Sequence, residues 1–322
     1  MQFVTYRSRE GERVGVLKDG VVHGLDEGVR LIDLLGDDGT RLHSAGESAL
    51  RDPREVLQLD AVSLAPPIPQ PPAVRDFITF EQHVSGTAAI AVENATVPAL
   101  WYEIPTFYFS NPHSIIGARD DVPLPPGCER FDFELEVAAV IGREGRNLSP
   151  DAAADHIVGY LVMNDWSARD LQWREMRLHL GPAKGKDTAT TLGPALVTAD
   201  ELESRRSGTS FDLTMSAAVN GNVVGTDVLS HMYRSFEELV AYASRGTRVL
   251  PGDIIGSGTC GSGCLAELWG RNGIDSIPPL QAGDEVTLSV ELLGELNNRV
   301  TTGDPLQPLR ARRHVSDACP ET

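Results

Sequence analysis

The residue pattern predicts an α+β fold that is mostly β. Short apolar runs bounded by Gly, Pro, Asn and Asp recur along the chain, as strands do. Few segments show helical periodicity. A Pro-rich stretch, Leu64-Ala65-Pro66-Pro67-Ile68-Pro69-Gln70-Pro71-Pro72, separates a small first unit from a large second one. Its prolines make an extended, stiff connector. The expected organisation is a small N-terminal α+β domain over 1–65, a connector over 66–73 and a large domain over 74–322.

Residues 14–17 and 21–25 flank Lys18-Asp19-Gly20, a hairpin with an Asp-Gly turn. Leu31, Leu34 and Leu35 suggest a short helix. Beyond the connector, Phe131, Phe133, Leu135 and Val137 occupy one face of a strand, alternating with Asp132, Glu134 and Glu136. Residues 137–141 are apolar throughout, as expected of a strand buried on both faces. Ser149-Pro150-Asp151 opens a helix, with Ser at the N-cap and Pro at the first position, running to near Val158-Gly159. Residues 160–163 form a buried strand with Asp165 just past its end. Further strands are expected at 211–219, 223–224, 253–256 and 286–293, and an amphipathic helix at 235–242. The tail after about residue 300 is polar and expected to fray.

The 322 residues include 28 Lys and Arg against 46 Asp and Glu, a formal net charge of −18. Such a surface repels nucleic acid and anionic membrane, which excludes both as partners. Met1 to Arg7 contains no apolar signal-type segment and no run reaches membrane-spanning length, so a cytoplasmic protein is expected. Cys128, Cys260, Cys264 and Cys319 are too scattered for a disulfide framework, which fits a reducing compartment. Cys260 and Cys264 read as small residues at a tight Gly-rich turn.

Three stretches place acids where a hard divalent cation fits: Arg75-Asp76, Asp132 to Glu136, and Asn164-Asp165. Side chains two apart on a strand share a face, roughly 6.6 Å apart. Like charges so close repel unless protonated or bridged by a cation. A bound metal accounts for them economically and points to an enzyme. Carboxylate donors select Mg²⁺, Mn²⁺ or Ca²⁺ over zinc.

The motifs Asp76-Phe77, Glu81-Gln82-His83, Asp132 to Glu136, Val140-Ile141-Gly142, Gly159-Tyr160, Asn164 to Asp170 with Gln172, Lys184-Gly185-Lys186, Gly193-Pro194, Pro251-Gly252-Asp253, Ser257-Gly258-Thr259 and Glu267 occur in that order. Together they resemble the fumarylacetoacetate hydrolase family over about residues 73–300. The resemblance implies a mixed β-roll or β-sandwich catalytic domain, a homodimer, and a divalent metal, Mg²⁺ first with Mn²⁺ or Ca²⁺ as alternatives. It implies metal ligands at Glu134, Glu136, Asp165 and Asp76. His83, assisted by Glu267, is the implied base that deprotonates water, with Glu81 as an alternative partner. A histidine titrating near neutrality suits a general base, and a carboxylate orients it. Lys186 and Gln172 match the groups that steady a developing oxyanion. Thr259 matches a residue that grips a substrate carboxylate, Gly258 allows close backbone approach, and Tyr108 is expected at the substrate. Arg169 is expected in a structural ion pair, with Asp170 as a neighbour in that network.

The implied reaction is C–C bond hydrolysis of a 1,3-diketone or acylpyruvate-type 2,4-dioxo acid, through an enolate stabilised by the metal and water activated by His83. An isomerase, tautomerase or decarboxylase of a 2-oxo acid on the same site is the alternative. A non-catalytic dimeric binding protein is a third reading. The sequence also departs from the family pattern. No Lys or Arg lies between Arg75 and Arg119, where the family's namesake carries an arginine that clamps a substrate carboxylate. Ile78 replaces a tyrosine, and Tyr108-Phe109 is aromatic where many relatives carry a nearby lysine. The expected substrate is therefore larger or less acidic, with an apolar arm against Trp101, Tyr108 and Phe109. Residues 84–104 form a candidate lid, and Arg174 and Arg177 remain as nearby cations.

Overall fold

The computed structural model describes residues 1–9, 11–90 and 95–309. Residues 91–94 of the candidate lid, the last part of the tail and Cys319 lie outside the described residues. The fold is mixed α and β and mainly sheet, as the pattern predicted. None of the described helices is long and apolar enough to cross a membrane.

Strand β1 (Gln2–Ser8) pairs with β2 (Gly11–Lys18), and β2 forms the expected hairpin with β3 (Val21–Gly24). Asp19 and Gly20 turn it at φ of 53° and 77°, a conformation Gly adopts freely and Asp tolerates. Leu31–Leu34 is a single 3₁₀ turn. Helix α1 (Thr40–Arg51) escaped the sequence reading because only Leu42, Gly46 and Ala49 of its residues are buried. That stripe holds one large apolar residue, too weak a signal for periodicity.

The large sheet runs in the order β4 (Val56–Gln58), β3, β2, β1, β9 (Thr190–Thr198), β8 (Ile157–Asp165), β7 (Leu135–Ile141), β12 (Ile254–Gly256), β5 (Val74–Phe77), β6 (Phe107–Ser110). Strands from residues 1–65 thus hydrogen-bond into the same sheet as the rest, through Gln2 and Phe3 on β9. A five-stranded sheet contains β11 (Asn222–Val228), β10 (Thr214–Val219), β13 (Glu285–Val290) and β14 (Gly294–Thr301). Helices α2 (Glu81–Ala88), α3 (Arg169–Met176), α4 (Phe236–Ala243) and α5 (Leu265–Asn272) complete the elements used below.

Strand β7 is buried on both faces, as expected of its continuous apolar run. Val137, Ala139 and Ile141 enter a core shared with Met215, Leu288 and Leu296 of the second sheet. Ala138 and Val140 enter a different core, with Phe3, Val16, Leu31 and Leu42 of the N-terminal segment. This is period-two alternation with apolar partners on either side.

Two expectations are corrected. The strand predicted across 131–137 is interrupted. Phe131–Asp132 is a separate short strand, and β7 begins at Leu135. The Asp132 carboxylate accepts from the N–H groups of Phe133, Leu265 and Ala266, which turns the chain away from regular pairing. The helix opened by Ser149 is also shorter than expected. It covers Pro150–Ala153, passes through one 3₁₀ turn, and gives way at Ile157 to β8, whose backbone pairs with β7 and β9.

Candidate active site

Three strands of the large sheet carry acids on one face. On β5, Asp76 follows Val74; on β8, Asp165 follows Leu161 and Met163; on β7, Glu136 precedes Ala138 and Val140. Those apolar residues all belong to the core on the N-terminal side. The same rows therefore change from apolar packing to carboxylates as they leave the core. Gly256 pairs with Asp76 and with Ala138, and a Cβ there would collide with the Asp76 and Glu136 carboxylates. Tyr108 lies opposite Asp76 in the β5–β6 ladder. Glu134 precedes β7, fixed by Asn164 Oδ1, which accepts from its N–H at 2.9 Å.

Asp76, Asp132, Glu134, Glu136 and Asp165 are all buried here, and the buried cations facing them are Arg169 and Lys186. Arg169 donates to Asp132 at 2.8 Å and to Glu134 at 2.7 Å. Lys186 bonds Glu134 and Asp165. This division splits the acids. Burial alone would raise Glu134, but Arg169 and Lys186 hold it below the usual carboxylate range. Asp165 is pushed up to about 8 by burial, with Asp76 and Glu134 adding to the rise against Lys186. Burial, then repulsion from Asp76, raises Glu136, and burial raises Asp76. Tyr108 donates to Asp76 at 2.6 Å and also to Asp165.

His83 lies on α2 at the edge of this floor. Its Nε2 is 3.8 Å from Glu134 and its Nδ1 is 3.8 Å from Glu267. Burial, reinforced by Arg169 and Lys186 against the pull of Glu134, lowers its pKa to about 4, so the imidazole is neutral at pH 7. Helices α2 and α5 cross closely because Gly86 and Gly270 carry no side chains. A Cβ on Gly86 would overlap Glu267, and one on Gly270 would overlap the Gly86 carbonyl. Glu267 is fully buried and accepts from Ser262 N–H at 2.7 Å and Gln82 at 3.2 Å, besides pairing with Arg271. Glu81 is exposed and pairs with Tyr102, so Glu267 is the glutamate that faces His83.

The other expected residues gather around the same cavity, about 580 Å³, whose lining includes His83, Gln172, Lys186, Thr259 and Tyr108. Gln172 accepts from Arg169 at 3.2 Å. Gly258, at φ 80°, donates its N–H to Glu136 at 3.0 Å, and the Thr259 hydroxyl lies 3.4 Å from the same carboxylate. Gly258 thus orders a carboxylate rather than lining the cavity. Arg169 makes the expected structural ion pair, with Asp132 and Glu134, while Asp170 accepts from the Glu129 and Arg130 N–H groups. Trp101, Phe109, Arg174 and Arg177 are absent from the lining. Phe109 is 67 % exposed, beneath the Arg75 guanidinium. The apolar wall comes from Ile78, Val84, Ile90, Pro98, Trp173 and Met176.

Sequence reasoning missed the role of Glu175. Its carboxylate accepts from the N–H groups of Ala183, Lys184 and Gly185 and so holds the turn that delivers Lys186. No local pattern announces such side-chain-to-backbone bonds.

The donor set fits a hard cation. Asp76 Oδ1 and Asp165 Oδ1 are buried without a hydrogen-bond partner. Oxygens of Asp76, Glu134 and Glu136 lie within 4.8 Å of one another. Buried, unpartnered carboxylate oxygens are costly unless an ion or a proton meets them.

A deeply buried carboxylate floor that could hold a metal ion thus lies beside a neutral histidine in one cavity. A family model described as fumarylacetoacetate (FAA) hydrolase, C-terminal, matches residues 73–301, and the chain belongs to the fumarylacetoacetate hydrolase family. It is 31 % identical over 258 residues to the mitochondrial oxaloacetate tautomerase of Xenopus laevis, covering 79 % of this chain and 73 % of that protein. It covers only 61 % of the corresponding human protein FAHD2A. A solved fumarylacetoacetate hydrolase from Exiguobacterium antarcticum superposes with a TM-score of 0.71 at 25 % identity, covering 94 % of this chain and 99 % of that one. The fold is also shared, at TM-score 0.70 and 22 % identity, with a Sphingobium maleylpyruvate hydrolase in complex with manganese(II) and pyruvate, covering 94 % of this chain and all of that one. Matched proteins are named as tautomerases, hydrolases and an isomerase, so this is an enzyme family whose members differ in reaction.

Proposed function

We propose that this chain is a divalent-metal-dependent hydrolase that cleaves a C–C bond in a 2,4-dioxo acid or related 1,3-diketone. The observation that carries the reading is a neutral, buried imidazole beside a carboxylate floor with two unpartnered oxygens, in one cavity. Glu134, Glu136, Asp165 and Asp76 are assigned to the metal, with Mg²⁺ first and Mn²⁺ or Ca²⁺ as alternatives. Bound there, the cation would supply Lewis acidity that stabilises an enolate.

His83 takes a proton from water, and Glu267 beyond its Nδ1 orients the ring and stabilises the imidazolium. The oxygen of that water adds to the carbonyl remote from the substrate carboxylate. Lys186, kept charged by Asp165 and Glu134 despite burial, and Gln172 are assigned to the developing oxyanion. The C–C bond then breaks with its electron pair left on the carbon between the two carbonyls. That carbon takes up a proton, giving a carboxylic acid and a 2-oxo acid. Thr259 and Tyr108 are assigned to substrate positioning.

Tautomerisation of a 2-oxo acid is the second reading, favoured by the Xenopus laevis relative's name. It needs only a proton moved between carbon and enol oxygen, which His83 alone can do. Product analysis separates the two: hydrolysis gives two fragments, tautomerisation a spectral change with no cleavage. A cytoplasmic homodimer is part of the same proposal, the compartment supported by free thiols at Cys128, Cys260 and Cys264 and the dimer by family resemblance.

A further inference from the structure

We infer that the substrate carries one carboxylate only, at the metal end, and that its far substituent is an uncharged alkyl or aryl arm. This rests on the proposed dicarbonyl chemistry and names the member of that substrate class. The cavity lining has two chemically different parts. Its floor holds the carboxylates with Arg169 and Lys186, and these are the only cationic side chains in the lining among the described residues. Both are already engaged, Arg169 with Asp132 and Glu134, Lys186 with Glu134 and Asp165. The apolar wall is Ile78, Val84, Ile90, Pro98, Trp173 and Met176. Residues 76–118, which supply much of that wall, contain no Lys or Arg at all.

A second carboxylate lying against this wall would lose its water and gain no charged partner, while the floor acids repel it. An apolar arm meets the opposite balance, because it removes its own surface and that of the wall from water. The volume of about 580 Å³ also lies well inside the range of roughly 300–1,000 Å³ typical of drug-sized ligands, more room than a four-carbon diacid fills.

The test compares two acids of equal length, 2,4-dioxoheptanoate and 2,4-dioxoheptanedioate, which differ only in a terminal methyl against a terminal carboxylate. Their kcat/KM values are measured on the Mg²⁺- or Mn²⁺-loaded protein, and their Kd by calorimetry on loaded His83→Ala. The methyl-ended acid is expected to bind at least tenfold tighter. Equal or tighter binding of the diacid overturns the inference, as does failure of both to bind. Tighter binding of the methyl-ended acid without cleavage by the wild type sinks the hydrolase reading and leaves this inference standing. Met176 is 49 % exposed at the rim, so Met176→Arg sets a guanidinium on the wall without burying it. The diacid should then gain roughly tenfold by a charge-assisted bond. No gain would mean that the arm does not lie along that wall, and overturns the assignment.

Discussion

Replacing Asp165 by Asn should stabilise the metal-free protein while removing its function. Asp165 titrates at about 8 in the folded chain against an ordinary value of 3.8. The sign follows from proton linkage. The folded state binds this proton more tightly than the unfolded state, so stability is fullest below pH 3.8 and is lost as pH rises towards 8. Each unit corresponds to about 1.4 kcal/mol, so at pH 7 the group opposes folding by about 4 kcal/mol. Asparagine never has to take up that proton. Its carbonyl still accepts from Tyr108, and Lys186 keeps Glu134, so most of the relief should survive. Allowing for a weaker Lys186 contact, a gain of about 2–4 kcal/mol is expected. Urea unfolding in EDTA at pH 7 measures it, and repeating the titration with Mg²⁺ or Mn²⁺ measures the metal's contribution. The wild type should gain with metal, and Asp165→Asn should gain little and turn over nothing. A variant less stable than wild type in EDTA, or one that keeps the full metal-induced gain, refutes the reasoning.

His83→Ala should keep its metal, measured by equilibrium dialysis, and lose roughly 10²–10⁴-fold in kcat. Because burial holds His83 near 4, the acid limb of wild-type kcat/KM should fall around pH 4 and not near 6.5; a limb at 6.5 would show that the ring is solvated in the working enzyme. Glu175→Ala should lower kcat tenfold or more by releasing the Lys186 turn, with partial rescue by Glu175→Gln, which retains an acceptor. Unchanged kinetics in Glu175→Ala would remove it as a positioning group. Gly86→Ala should destabilise by about 1–3 kcal/mol in urea and depress kcat, because the new methyl overlaps Glu267; wild-type values for both would mean that the α2–α5 crossing adjusts freely.

The acids were legible because strand periodicity is local. Leu161, Met163 and Asp165 are spaced two apart, as are Val74 and Asp76, and that spacing alone puts each acid at the end of an apolar row. The order of motifs then supplied the family. What stayed hidden depends on partners distant in sequence. Asp132 looked like a fourth strand acid, yet it binds the N–H groups of Leu265 and Ala266, which begin α5 over a hundred residues later. Arg169 sits beside Asp170 in sequence but reaches Glu134 and Asp132 in space. Of the predicted aromatic contacts, Tyr108 lines the cavity but Phe109 does not, because it alternates out of the sheet face that Tyr108 occupies.

The placement of the two fixed cations explains why the acids are not interchangeable. Glu134 takes both Arg169 and Lys186, so it remains ionised in the metal-free pocket. Asp165 shares only Lys186, and Asp76 and Glu136 lie closest to each other, so their protons are held more tightly. A divalent ion entering such a floor has one ligand already charged and displaces protons from the others. The same arrangement puts negative charge next to His83 Nε2 without protonating the ring, because burial disfavours the imidazolium and the two cations that neutralise Glu134 add to that effect. On the proposed assignment, metal affinity and base strength would be tied through one residue. Substituting Glu134 would then disturb both, whereas Glu136 and Asp76, farther from the ring, would act on the metal alone.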